Sequence, residues 1–417
     1  LVRLPPPVRG GDLVAATGSA ESSGRVLSRG DLALPVVIDG HPSDGPLHCA
    51  GKLDSTLHTV VELSGEDVRR RVFLPGVAFT AAAFAEPALF ALTAPAVGDV
   101  ARDAGGTRIG MIDVEILTDH IEHLRRMDFR YGSGRIRRLC LQLLHDEAAT
   151  LLHGNYSDST GRALLTAVAQ AAQLAALMAV DVGRHALAQR YYIQALNLAM
   201  NAGNRLLAAN MLSNMSWLTI QNATGQRCAH QAVALARTGT TVAGKATPTL
   251  AAQLSAVEAQ AHALCRDTSA TRTAVLGAER HYERFRPDGE PPWSSFYTEA
   301  DLAAELGRAL RDGGEPAAAI RLMTRALDSY EPWRVRSRCL LQTDLATGYL
   351  IEGDHEQAAA LTRDALNTAD QVSSGRTVSR IQSLQQQMRP LRSVGLIELD
   401  EEITGFLRSA HDEDITT

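Results

Sequence analysis

The chain has 417 residues and sets 41 Lys plus Arg against 47 Asp plus Glu, a net charge of −6. That balance excludes a protein that wraps nucleic acid along its length, which needs a cationic surplus, although a local basic patch remains open. Aromatic residues make up only 5% of a sequence rich in Ala and Leu, a composition for close helix-on-helix packing rather than for a β-sandwich.

The length suggests two or three units, a count that a continuous repeat array relaxes. Lys52 and Lys245 are the only lysines, so the positive charge is almost all arginine. Cys49, Cys140, Cys228, Cys265 and Cys339 lie far apart, with no Cys-x-x-Cys pair, as expected of a chain in a reducing cytoplasm.

Residues 1–66 are rich in Pro, Gly and Ser, show no helical period or helix-turn-helix, and read as a linker or poorly ordered segment. Residues 67–104 are first Arg-rich, then apolar. Arg70-Arg71-Val72-Phe73-Leu74 and the run Pro75 to Ala85 are similar to a twin-arginine export signal. Such signals act at an N-terminus, however, and Glu86, Pro87 and Pro95 break the run before it could span a bilayer. A hydrophobic connecting helix packed on the helical region is the expectation, with no membrane span.

Over 105–157 two leading helices are predicted. Met111, Val114, Leu117, Ile121 and Leu124 step by three or four, as do Ile136, Leu139, Leu143 and Leu151 after the Gly132-Ser133-Gly134 turn.

Residues 158–372 divide into five helix pairs. In each second helix a large residue stands between two small ones, at spacings of four and three, where tetratricopeptide helices approach closely. The first two triplets are Ala188, Tyr192 and Ala195, then Ala229, Val233 and Ala236. The third, Thr271, Val275 and Ala278, has Thr where Ala is expected. Ala319, Met323 and Ala326 form the fourth, and Ala358, Thr362 and Ala365 the fifth. Gly183, Gly225, Gly314 and Gly353 mark reversals ahead of four of them. Leu306-Gly307 with Leu310, and Leu345-Ala346 with Tyr349, approach the Leu-Gly-x-x-Tyr signature of first helices. Successive triplets start 41, 42, 48 and 39 residues apart, against ~34 in the minimal repeat. Thr238 to Thr249 and Phe285 to Trp293 are read as the loops that hold the surplus. Val378 to Met388 and Ile397 to Leu407, within 373–410, read as closing helices, and 411–417 as a tail. The fold class is therefore all-α, a tetratricopeptide-like right-handed superhelix behind an irregular N-terminal segment.

No catalytic motif stands out. Gly-x-x-x-x-Gly-Lys-Ser, Gly-x-Ser-x-Gly and His-Glu-x-x-His are absent from the sequence, so neither an enzyme nor a cofactor is expected. His120 and His123 share a helical face with Asp119 and Glu122 but have no recognisable third ligand, and His145 and His153 are lone; a solvated polar face is expected, with no metal. Arg125, Arg126, Arg130, Arg135, Arg137 and Arg138 cluster near the first helix junction, where pairing with local carboxylates is favoured over contact with phosphate. Repeat geometry puts Gln170, Gln173, Asn210, Asn214, Gln221, Gln253, Gln260, Arg308 and Thr343 on the inner face. Amides both donate and accept, so this row either pairs with an extended peptide or forms an ordinary solvated groove.

Several strings are more specific than a helical period. Ala186-Leu187-Ala188-Gln189-Arg190-Tyr191-Tyr192 with Gln194-Ala195-Leu196, Gly244 to Thr249, Glu290-Pro291-Pro292-Trp293 with Glu299 to Ala303, and Val335-Arg336-Ser337-Arg338 resemble actinobacterial, Streptomyces-type Xre-family transcriptional regulators. The resemblance covers about Gly105 to Leu407. Such regulators join an N-terminal helix-turn-helix to a tetratricopeptide region and are associated with differentiation and antibiotic production. What it implies is a cytoplasmic regulatory module that binds a protein, a peptide or a small-molecule signal and forms a homodimer. DNA would be read only through an upstream domain absent from this sequence. A stand-alone adaptor, and an exported binding protein, are the alternative expectations.

Overall fold

A computed structural model describes residues 53–68, 78–94, 98–103, 106–223, 225–391 and 394–416. The twin-arginine-like string and Cys49 lie outside them. Among the described residues every element is helical, apart from isolated bridges joining Arg102 to Tyr156 and Arg108 to Asn155.

Two elements precede the leading helices. α1 (Leu53–Val68) buries Leu57, Val60 and Leu63, and α2 (Ala85–Thr93) follows a 3-10 turn whose Phe84 is fully buried. Residues 53–66 therefore correct the linker reading. Leu57, Val60 and Leu63 step at three, and their apolar stripe becomes helical because it has a surface to cover.

α3 (Met111–Tyr131) turns at Gly132 into α4 (Ser133–Gln142), which continues through a π-helical turn, Leu143–Ala148, into α5 (Ala149–Leu152). The repeat array then runs as hairpins. These are α6 (Asp158–Asp181) with α7 (His185–Asn201), α8 (Arg205–Gln221) with α9 (Gln226–Ala243), α10 (Pro248–Leu264) with α11 (Thr268–Tyr282), α12 (Glu299–Asp312) with α13 (Pro316–Ser329), and α14 (Val335–Glu352) with α15 (His355–Ala369). α16 (Gly375–Met388) and α17 (Val394–Thr416) close it. The chain is an all-α helical repeat.

Packing within the hairpins follows the small-large-small rule. All five triplets lie in α7, α9, α11, α13 and α15, and each of their residues is at most 7% exposed. The small residues that end the triplets, Ala195, Ala236, Ala278, Ala326 and Ala365, are buried almost completely, as are the leading Ala188, Ala229, Ala319 and Ala358. Thr271 and Thr362 are buried because each hydroxyl bonds back to a carbonyl one turn earlier, Asp267 O and Ala358 O respectively. Gly307 shows why small residues are needed: a Cβ there would lie 2.3 Å from Met323 Cγ in the facing helix. Side-chain caps on Ser157, Asn204, Asp267, Thr298, Asp354 and Ser374 start the helices by accepting from free backbone N–H groups. Gly183, Gly314 and Gly353 turn the chain with positive φ; in the third unit Arg266 does so at φ 59°, which explains the missing glycine there.

Two boundaries differ from expectation. The stretch 238–243, read as loop, completes α9, because the hydroxyls of Thr238, Thr240 and Thr241 bond back to carbonyls one turn earlier. Residues 411–416, read as tail, continue α17.

α6 is long and apolar enough to cross a membrane by length and composition, yet 83% of its apolar window is buried among the other helices. It is a core helix of this fold.

The array closes on itself. α3 lies between α6 and α14 and makes contact with both. At the α3–α4 turn, Ser373 N donates to Tyr131 O at 2.9 Å and Gly134 N donates to Ser373 O at 3.0 Å. Arg336 donates to both Asp128 oxygens, at 2.9 and 2.5 Å, and to Ser133 Oγ at 3.0 Å. Asp181, at the end of α6, receives Ser374 Oγ at 2.8 Å and Ser133 N at 3.3 Å. A clasp thus joins the beginning of the array to its end.

Candidate functional site

The residues expected on the inner face lie on α6, α8, α10, α12 and α14, the first helices of the hairpins. Their amides are not the free row expected from the sequence. Gln170, Gln173, Asn210, Asn214, Gln260 and Thr343 are buried, whereas Gln221, Gln253 and Arg308 are partly so. Gln173 Nε2 donates to Asn210 Oδ1 at 2.6 Å, and Asn210 Nδ2 to Gln253 Oε1 at 2.7 Å, a ladder that links α6, α8 and α10. Asn214 joins it through Asn210 O at 2.9 Å. Gln170 donates to Thr166 O and Thr343 to Leu340 O within their own helices. The capacity to donate and accept is used inside the fold, because a buried amide left unpaired is costly. Gln260 Nε2 is the exception, with no partner among the described residues.

Arginine and carboxylate dominate the other half of this face. Asp344 is ringed by Arg311, Arg308 and Arg380 at 2.7, 3.3 and 3.4 Å. Burial opposes its ionisation, but the Arg380, Arg311 and Arg308 guanidiniums prevail and hold its carboxyl well below the ordinary range. Arg334 pairs with Asp301 at 2.7 Å and covers the Phe129 ring at 4.5 Å. Arg336 is likewise kept charged: burial works against it, and Asp128 and Asp181 more than compensate. Glu305, half-buried beside Tyr297, is pushed up to about 7 by desolvation, with Arg308 opposing.

Two arginines behave differently. Arg125, which sequence reading placed in a surface cluster, is 6% exposed and stacks over Phe296 at 4.2 Å. Arg376 lies over Trp217 at 5.4 Å. Both are lowered to about 10 by burial, against which Asp128 and Asp181 respectively work. Neither has a signal in the local pattern, because their surroundings come from distant segments. Of the same cluster, Arg137 pairs with Asp67 and Arg130 covers Tyr131.

No family model and no curated protein matches the chain.

A second polar feature is a cleft of about 520 Å³ between α1 and the α4–α5 helix, lined by Asp54, His58, Glu62, Arg102, His145 and His153 among others. Most of its groups are committed to neighbours, with Arg102 Nε left without a hydrogen-bond partner among the described residues. His58 pairs with Glu62 at 3.1 Å, Arg102 with Asp54 at 3.4 Å, and His153 Nδ1 with Ala149 O at 2.7 Å. His120 pairs with Glu147 at 3.1 Å rather than with His123. Among the described residues no group of His, Cys, Asp and Glu is arranged to hold a metal ion. The inner face is the stronger candidate, since it gathers unpaired buried polar atoms from several helices.

Proposed function

We propose that this chain is the responsive part of a cytoplasmic transcriptional regulator of the Xre type. In this reading a tetratricopeptide-like module binds a protein, peptide or small ligand on its inner face, pairs with a second copy, and thereby controls genes of differentiation or secondary metabolism. The observation that carries the reading is the clasp, in which Arg336 holds Asp128 and Ser133 while Asp181 accepts from Ser133 and Ser374, largely through polar contacts. The apolar clusters that pack α14 and its neighbours contain no residue of α3, so in this reading the clasp can open while the hairpins stay folded. That makes the array a two-state element, and a ligand that prefers one state shifts the balance by its differential affinity. With a net charge of −6, the chain itself is not expected to retard promoter DNA; an attached domain would read it.

A fusion of this chain to a monomeric DNA-binding head tests the reading. Operator-dependent repression that changes when the clasp is broken is expected. A fusion that neither pairs nor represses would overturn it. The adaptor reading is favoured by one observation, the exposed apolar start of α3, where Ile112 is 71% exposed beside Met111 and Ile116. An adaptor would bind a partner through that face without repression by the fusion.

A further inference from the structure

Arg376 and Arg380 stand one turn apart on α16 and reach across the coil to α8, where Arg376 covers the Trp217 ring and Arg380 donates to Gln221 Oε1 at 3.5 Å. Their carboxylates are shared. Asp181 lies 3.5 Å from Arg336 and 3.7 Å from Arg376, while Asp344 serves Arg308, Arg311 and Arg380. Asp128 and Asp312 add one carboxylate each, to Arg336 and Arg311. Counted by ion pairs, five guanidiniums here share four carboxylates, and Arg125, which forms no ion pair among the described residues, makes a sixth.

Three polar atoms around this surplus have no hydrogen-bond partner among the described residues: Nη1 of Arg125, Nε of Arg376 and the hydroxyl of Tyr192. Arg125 and Tyr192 are both more than nine-tenths buried. Arg125 is tied to this neighbourhood through Asp128, three residues on in α3, whose partner Arg336 also meets the Asp181 that pairs with Arg376, and the Arg376 and Arg125 charges both act on the Tyr192 hydroxyl. Leaving buried donors unpaired is costly, and like charges gathered without enough counter-charge are costlier. Arg336, Arg380 and Arg308 all press on Arg376, adding to the effect of its burial. The Arg376 and Arg380 side chains are 25% and 33% exposed, so the edge of the site meets solvent while the three unpaired atoms lie beneath it.

We infer that the inner face holds a binding site for a small oxyanion ligand, its carboxylate or phosphate group between Arg125, Arg376 and Arg380 with the Tyr192 hydroxyl donating, and its organic part against Trp217. Guanidinium forks suit planar and tetrahedral oxyanions through paired charge-assisted bonds. A neutral phenol adds a donor without adding charge, and burial keeps it neutral by pushing its ionisation well above the ordinary tyrosine range. The inference rests on the reading of the inner face as the binding surface and names the chemistry of what binds there.

Titration of the full chain with pyrophosphate, and separately with tricarballylate, at ionic strength fixed with chloride, tests it through tryptophan fluorescence and calorimetry. The expected result is saturable binding of at least one probe, with Arg376→Gln weakening it at least tenfold and Tyr192→Phe severalfold, in variants whose circular dichroism matches the parent. Trp217→Phe should abolish the fluorescence change and leave calorimetric binding measurable. The probe that binds more tightly separates phosphate from carboxylate chemistry. No saturable binding of either probe, or binding that Arg376→Gln and Tyr192→Phe leave unchanged, would overturn the inference. If a neutral peptide perturbs Trp217 while both oxyanions do not, the anion site fails and the inner-face reading survives. Conversely, oxyanion binding that leaves the exchange rate of the Ser373 amide unaltered upholds the site and counts against the switch.

Discussion

Arg336, in the first turn of α14, donates two hydrogen bonds to Asp128, in the last turn of α3, 208 positions earlier in the chain. Both side chains are buried, and Asp181 and Ser133 complete the cluster. A buried pair is weak evidence for stability, because desolvation offsets attraction, yet removing one partner strands a charge. Arg336→Ala should lower the unfolding free energy by about 3 kcal/mol or more. Replacement of both by apolar residues of similar volume, Arg336→Met with Asp128→Leu, should cost less than Arg336→Ala alone. Urea unfolding of these variants checks the claim; a double replacement that costs the sum of two single losses would count against it.

Gly132 isolates the backbone part of the clasp. It has φ 83°, and a Cβ there would lie 2.2 Å from Ser373 O. Gly183 has a similar φ of 77° but no atom within 4 Å of such a Cβ. Gly183→Ala should therefore cost about 1 kcal/mol for the left-handed conformation alone, and Gly132→Ala clearly more. Equal losses in thermal unfolding would mean that the α3–α4 turn does not touch Ser373 in solution.

Helical glycines should separate in sign. Gly277, within α11, meets only Ser255 Oγ at 3.9 Å, so Gly277→Ala should raise stability by about 0.5–1 kcal/mol through lower chain entropy. Gly307→Ala should lower it, because Met323 must move. Chemical denaturation of the two variants side by side reads the signs directly.

Glu305 sets a pH dependence. Its carboxyl rises from 4.5 to about 7 in the folded chain, mainly through burial. The native state therefore holds this proton to a higher pH than the unfolded chain does. Its contribution is complete below about 4.5 and is lost as pH rises towards 7 and beyond. Glu305→Gln should flatten the urea midpoint between pH 5 and 8 and stabilise the chain at pH 8. A variant that is less stable at pH 8 than the parent would show that the charged form is the one the fold favours.

The triplets around Tyr192, Val233, Val275, Met323 and Thr362 were legible in the sequence because close helix packing is a local demand, repeated at a near-constant period. α1 was not, since its apolar stripe sits in text otherwise dominated by Pro, Gly and Ser. The partners of the amides were not legible: whether Asn210 meets a ligand or Gln173 depends on how closely α6 and α8 approach. The clasp lay beyond any local pattern, although one string that stood out as specific holds a part of it and two others meet each other. Arg336 belongs to Val335-Arg336-Ser337-Arg338. Glu290, in Glu290-Pro291-Pro292-Trp293, accepts from the backbone of Thr249, the last residue of the Gly244 to Thr249 string. Strings more specific than periodicity are where non-local contacts were encoded.

The closure of the array is tested most directly by hydrogen exchange across the clasp. Ser373 N–H and Gly134 N–H bond only to each other's segments, so peptides covering 128–136 and 370–378 should be protected together in the parent chain. In Gly132→Ala both should lose protection, with α8 and α10 unchanged. Free exchange of both peptides in the parent, or loss of one without the other in the variant, would contradict a repeat array that closes on itself.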